Sequence, residues 1–219
     1  VSETSKPVLN EGRWLAIDAT TQACSVALFE QGALVAGDYR LLGRGHAEAL
    51  VPMIAGLPDQ GRADGIVAGL GPGSFTGVRI GLAAARALGV AWGVPVLGYP
   101  TLSLIAAMAQ ARQAGEVLIA TTGGHGEWFT QSFDAMGAAS SALQSLPPAQ
   151  AAELAPEHVA GNEAEALVAK RGFGSATPLW PDAHEVLHLP QACYTQDLSP
   201  LYGRAPDARL PGGRLPSAA

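Results

Sequence analysis

The chain has 219 residues, 48% hydrophobic and 15% charged, with 13 Lys and Arg against 19 Asp and Glu, a formal net charge of −6. That length allows one large domain or two small lobes around a sizeable core, and the composition excludes disorder as the default state. The acidic balance excludes holding nucleic acid unaided, because phosphate neutralisation dominates such affinity. An RNA-related role therefore needs a partner that supplies the positive surface.

Residues 1–13 are polar, contain Pro7 and Gly12, and read as a flexible leader. No secretory signal pattern is present, and the two cysteines, Cys24 and Cys193, lie too far apart for a metal-type spacing, so a reducing cytoplasm is the expected setting. The runs "WLAID" (14–18), "SVALFE" (25–30) and "LVAGDYR" (34–40) predict a three-strand meander, with Gln31-Gly32 as the hairpin turn between the last two. "HAEALVPMIAGL" (46–57) predicts a helix whose apolar stripe is Leu50, Met53, Ile54 and Leu57, despite Pro52 inside it. "GIVAGL" (65–70) is a strand of the fully buried type.

After the glycine-rich turn, "GVRIGLAAARALG" (77–89) predicts a helix capped by Thr76 or Ser74. "VPVLGY" (94–99) is another buried strand, and Thr101 can cap the helix "LSLIAAMAQAR" (102–112). No charged residue lies between Ala87 and Ala109, a length that could span a bilayer. Gly89, Gly93, Pro95, Gly98 and Pro100 break this stretch into helix end, strand and new helix, which argues against a membrane. In the second half "EVLIAT" (116–121) and "EWFTQSF" (127–133) predict a hairpin, and "HVAGN" with "EAEALVAK" (158–170) predict strand then helix. Residues 203–219 read as a tail. A meander followed by crossover units predicts an α/β fold with mixed sheets and flanking helices.

The stretch "GLGPGSFTGVRIG", Gly69 to Gly81, carries the sharpest question. It lacks the lysine of a Walker A loop. Its Gly71, Gly73 and Gly77 spacing is one residue too long for a dinucleotide fingerprint. Exposed amides at a helix start, with Arg79 nearby, still suit an anion. Gly77, Gly81, Ala85 and Gly89 fall on every fourth residue and form a ridge with almost no side chain. Such a ridge lets helix axes approach closely, and two arrangements fit it: packing on the chain's own sheet, or docking against a helix of another chain.

"HEVLH", His184 to His188, fits the zinc-peptidase pattern in which His184 and His188 hold the metal and Glu185 acts as base. Pro181 and Pro190 leave barely two turns of helix, and no histidine or glutamate follows to complete the ligand set. Asp18 ends the first strand and can orient a metal-bound phosphate or water, or simply shape the turn "DATTQ". His46 can reach across an interface or cap its own helix. Ser74 has no His and Asp set around it, and "GPGSFTG" is not the nucleophile elbow. No cofactor is expected.

The segments "LAIDATTQACSVALFEQG", "HAEALVPMI", "GLGPGSFTGVRIGLAAARALG" and "VPVLGYPTLSLIA" resemble, in order, the TsaB (YeaZ) family, with weaker echoes in "GEWF" (126–129) and "PLYGR" (200–204). The resemblance implies a two-lobed actin-like ATPase (ASKHA, RNase H-like) fold, with lobes at 14–112 and 113–202. It implies a role in making threonylcarbamoyladenosine at position 37 of tRNAs that read codons starting with A. In that pathway TsaB is the non-catalytic relative of the transferase TsaD, although such proteins also carry glycoprotease (M22 peptidase-like) labels. TsaD is the expected partner, the ATPase TsaE joins the complex, and tRNA is met only indirectly. A homodimer is expected when the partner is absent.

Carried over by position, the histidine pair of TsaD-like proteins falls on Thr101 and Ile105, neither of which is an imidazole. Actin-like ATPases place Asp-x-Gly after the first strand, where this chain has Asp18-Ala19-Thr20. The family's pairing surface maps onto helices 46–57 and 76–89. The implied contact residues are His46, Leu50, Met53, Ile54, Leu57, Thr76, Gly77, Arg79, Gly81, Ala85 and Gly89, behind the turn Gly71, Pro72, Gly73 and Ser74. The link from Pro52 to Gly71 is shorter than usual by roughly one helical turn. Thr122 stands where relatives often have an Asp.

Overall fold

The computed structural model describes residues 8–203. The chain opens on a short 3₁₀ turn, Val8–Asn10, and Leu9 is buried beneath the first sheet beside Phe29 and Tyr99. The leader expected over 1–13 therefore joins the fold from Val8 onward, because Leu9 has a core to enter; residues 1–7 lie outside the described residues.

Strands β1 (Arg13–Asp18), β2 (Ala23–Glu30) and β3 (Ala33–Leu41) form the antiparallel meander. Gln31 and Gly32 both take left-handed backbone, φ 51° and 76°, the conformation that matches a two-residue turn to strand twist. Helix α1 (His46–Ala55) crosses to β4 (Gly65–Gly69), which pairs parallel to β1. Helix α2 (Phe75–Trp92) returns to β5 (Val96–Tyr99), parallel to β4, and α3 (Thr101–Arg112) follows. The first sheet has the order β3-β2-β1-β4-β5.

The second sheet repeats the plan. Strands β6 (Val117–Thr122), β7 (Trp128–Phe133) and β8 (Gln144–Leu146) form a second meander. Helix α4 (Pro148–Ala151) leads to β9 (His158–Ala160), which runs parallel to β6. Helix α5 (Ala164–Arg171) leads to β10 (Ser175–Thr177), parallel to β9. The order β10-β9-β6-β7-β8 is that of the first sheet with the corresponding strands substituted. Two copies of one five-stranded topology, each with a meander and two crossovers, make the two-lobed architecture.

Helix α3 joins the copies. Every residue from Thr101 to Ala109 is buried, as expected of a helix that is apolar on all sides. Leu104, Ala107 and Met108 pack under the first sheet, whereas Leu102, Ile105 and Ala106 pack against Val117, Ile119 and Phe133 of the second. The uncharged stretch from Ala87 to Ala109 is thus the end of α2, β5 and α3, and no helix among the described residues is long and apolar enough to cross a membrane.

Three departures from the sequence reading have simple causes. Helix α2 runs past Gly89 to Trp92, because Gly93 (φ 70°) supplies the left-handed stop and Gly89 stays helical. Strands β8 and β10 are only three residues each, too short to show a period. Finally, residues 183–201 leave the second lobe and return to the first. Ala183, Val186 and Leu189 pack beside Leu9 and Leu104, Thr195 exchanges hydrogen bonds with Gly98, and the Leu201 amide donates to the Leu70 carbonyl at 2.8 Å. Of the expected tail, residues 204–219 lie outside the described residues.

Candidate functional site

The glycines of the turn serve a close approach of backbone to backbone. A Cβ on Gly69 would sit 2.5 Å from an Asp18 carboxylate oxygen, and one on Gly73 would sit 2.0 Å from the Thr20 carbonyl. On Gly77 it would meet the Ala19 carbonyl at 2.2 Å. The start of α2 therefore presses directly on the loop Asp18–Thr20. Its amides are partly consumed there: Ser74 N–H donates to the Thr20 carbonyl at 2.7 Å, and Gly77 N–H donates to the capping Ser74 Oγ at 3.3 Å. Of the two expected caps, Ser74 is the one used. Pro72 is buried in the same turn.

Beneath the turn lies a closed polar chain. Gly71 N–H donates to Thr101 Oγ1 (3.1 Å), which donates to Thr20 Oγ1 (3.0 Å), which donates to Asp18 Oδ1 (2.7 Å). Tyr99 Oη donates to the other oxygen, Oδ2, at 3.1 Å. Burial pushes the Asp18 carboxyl up to about 6, against the lowering effect of the Thr20 and Tyr99 hydrogen bonds. Thr101 is spent on this chain and Ile105 lies in the interlobe core, so both positions onto which the TsaD-like histidine pair is expected to fall are built into packing here.

Helices α1 and α2 lie against each other on one face of the first sheet. The stripe expected to reach outward does not: Leu50, Met53, Ile54 and Leu57 are all buried in the chain's own core. The ridge also faces inward, with Gly81 over Ala19 and Ile17 and Gly89 over Val96. Ala85 is buried in the same cluster, and His46 Nε2 lies 3.3 Å from the Ala23 carbonyl. Amphipathic spacing fixes which residues share a face but not which apolar face meets the sheet, and on α2 nearly every face is apolar or small. Among the residues expected to make contact, only Thr76 and Arg79 are exposed. The small and apolar outward side chains include Ala47, Val51 and Ala55 on α1 and Ala83, Ala87 and Val90 on α2, with Val51 63% and Val90 86% exposed, and Glu48 and Arg86 are exposed beside them. Their spacing of about four residues was readable, but it competed with the buried faces.

"HEVLH" folds as a 3₁₀ turn, Ala183–His188, in which residues four apart are rotated by about 120°. His184 Nδ1 pairs with Asp182 at 2.5 Å, and that partner raises its imidazole above the usual range. His188 pairs with Glu185 at 2.9 Å. The two imidazoles do not share a face, and among the described residues no three His, Cys, Asp or Glu side chains are grouped to hold a metal ion. The segment packs instead: a Cβ on Gly37 of β3 would overlap the His184 ring.

In the second lobe, Thr122 N–H donates to Asn162 Oδ1 (3.2 Å), and Thr122 Oγ1 donates to Glu163 Oε1 (2.7 Å). At the position where the resemblance leads one to expect an acid, this strand end is a hydroxyl held by an acid from the next crossover.

The duplicated topology defines the class: an actin-like ATPase (RNase H-like) fold of two lobes. The solved structure of YeaZ from Pseudomonas aeruginosa shares it, with a TM-score of 0.73 and 28% identity over 87% of this chain and 99% of that one. A second Pseudomonas aeruginosa structure, described as similar to peptidase YEAZ, gives 0.75 and 29% over 88% and 99%. A family model described as TsaD, tRNA N6-adenosine threonylcarbamoyltransferase, matches residues 40–178. The tRNA threonylcarbamoyladenosine biosynthesis protein TsaB of Escherichia coli (strain K12) is 40% identical over 99 residues, 43% of this chain and 42% of that protein. The match thus spans less than half of that relative's length. An uncharacterized protein of Mycobacterium tuberculosis (strain ATCC 25618 / H37Rv) is 33% identical over 89% of this chain and 93% of its own. The chain belongs to the TsaB (YeaZ) family.

Proposed function

We propose that this chain is a non-catalytic subunit that binds a TsaD-type transferase and supports synthesis of threonylcarbamoyladenosine at position 37 of tRNA. The observation that carries this reading is the outward side of α1 and α2, where small and apolar residues continue across two adjacent helices. Two helices from each partner would meet as a four-helix contact, and alanines at the seam permit close axes. Val51 and Val90 supply the apolar area, and Arg79 and Arg86 supply polar rim groups.

The non-catalytic part of the reading rests on the turn beneath the helices. Asp18 is buried and fully engaged, and Thr101 and Ile105 stand in the place of metal-binding imidazoles. Neither leaves a group free for phosphoryl or carbamoyl transfer. With its net charge of −6, the chain would meet tRNA through its partner, and a TsaE-type ATPase would join through the same complex. In isolation the same face is suited to a homodimer. The test is reconstitution: a TsaD-type transferase with its substrates and tRNA, with and without this chain, followed by nucleoside analysis. The modified adenosine should accumulate only with the chain present; equal yield without it overturns the reading.

A further inference from the structure

The last described residues form a strap with contacts on both lobes. Leu198 and Leu201, both half-buried, pack against the core beneath α1 and α2. Arg86 of α2 donates to the Leu198 carbonyl at 2.9 Å, and Leu201 N–H donates to the Leu70 carbonyl at 2.8 Å. The Leu201 carbonyl is so close to Gly71 that a Cβ there would lie 2.8 Å from it. Tyr202 then tilts over Phe75 with ring centroids 5.7 Å apart. The Arg79 guanidinium lies 3.2 Å from the Phe75 ring centre and 5.5 Å from that of Tyr202. One residue further, Gly203 meets the second lobe: a Cβ there would lie 2.3 Å from the Phe129 ring of β7.

Within six residues the strap passes from the α2 core to the second sheet, and both arginines that hold it stand on the exposed side of α2. Phe75 is 61% exposed and Tyr202 44%, so the aromatic–arginine cluster is open at the surface beside the helix proposed for docking. Aromatic and arginine side chains supply much of the binding energy at interfaces. A partner lying along α2 would contact Arg79, Arg86 and, through the cluster, the strap itself.

We propose that Leu198–Gly203 is a strap held by Arg79 and Arg86 of α2 across to the second lobe, so that docking of a TsaD-type partner on α2 tightens the strap and couples it to the lobe–lobe contact. The coupling rests on the docking reading above; the strap itself does not. Each arginine contact is a charge-assisted hydrogen bond or a cation–π contact, so its loss should loosen the segment roughly tenfold.

Hydrogen exchange on the full chain tests both parts. The variant carrying Arg79→Ala and Arg86→Ala should exchange at least about tenfold faster over residues 198–203, with β1 and β4 unchanged. Gly203→Ala, which collides with Phe129, should loosen the same segment from its other end. Unchanged exchange over 198–203 in both variants, or uniform acceleration along the whole chain, overturns the strap. Adding a TsaD-type transferase to the wild type should slow exchange over 198–203 and at β7. If the transferase binds but leaves that exchange unaltered, the coupling is wrong and the docking reading stands. If it does not bind, the docking reading and the coupling both fail, while the two variants still decide whether the strap exists.

Discussion

Replacing two glycines of one helix should move stability in opposite directions. In Gly77→Ala the new methyl would lie 2.2 Å from the Ala19 carbonyl oxygen, whereas C···O contacts sit at about 3.3 Å. The first turn of α2 must then retreat by about 1 Å from the loop, which strains the 2.7 Å bond from Ser74 N–H to Thr20. Overpacking costs about 1–3 kcal/mol and the weakened hydrogen bond about 1, against about 1 regained from helix propensity. The net expectation is a loss of about 2 kcal/mol, or roughly 4–8 °C in midpoint for a chain of this size. In Gly81→Ala the methyl meets Ala19 Cβ at 3.5 Å and Ile17 Cγ2 at 3.9 Å, ordinary contact distances. Only the propensity gain of about 1 kcal/mol remains, which raises the midpoint by roughly 2–4 °C. Urea and thermal unfolding of the isolated chain measure both. If both variants gain stability, the ridge faces outward and the inward packing described above is wrong.

Other outcomes follow from the same contacts. The folded pKa of Asp18, about 6, lies above its ordinary 3.8, so its protonated form is the better tolerated. Its contribution is full below pH 4, falls as pH rises through 6, and is worth about 3 kcal/mol over that window. The urea midpoint should therefore fall across this range, and Asp18→Asn should remove that part of the slope; identical slopes in both proteins contradict the burial argument. Asp182→Asn should lower the His184 titration midpoint seen by NMR, because Asp182 is the main group raising it. A midpoint that does not move shows that the 2.5 Å pair is not formed in solution.

Much of the first lobe was legible because its signals are local. The Gln31-Gly32 turn, the buried run at 65–70 and the apolar helix at 102–112 each declare themselves within a few residues. What was not legible is orientation. On α1 the buried residues 50, 53 and 54 and the exposed residues 47, 51 and 55 are all apolar, and only the sheet beneath decides between the two sets. The glycine ridge was a real device for close approach, but what approaches is the Asp18–Thr20 loop of the same chain. "HEVLH" failed as a zinc motif through backbone pitch, which five residues between two prolines cannot announce. The strap was invisible because its anchors, Leu70, Phe75, Arg86 and Phe129, lie 74 to 131 residues in sequence from the strap residues they touch.

The central claim is that the outer face of α1 and α2 binds a TsaD-type transferase. It is tested most directly by titrating the transferase with wild-type chain and with a variant carrying Val51→Glu and Val90→Glu, both exposed positions. Charges placed in an apolar helix contact should weaken binding by at least about a hundredfold, with the unfolding midpoint of the free chain nearly unchanged. Equal affinity of the two proteins for the transferase would contradict the account.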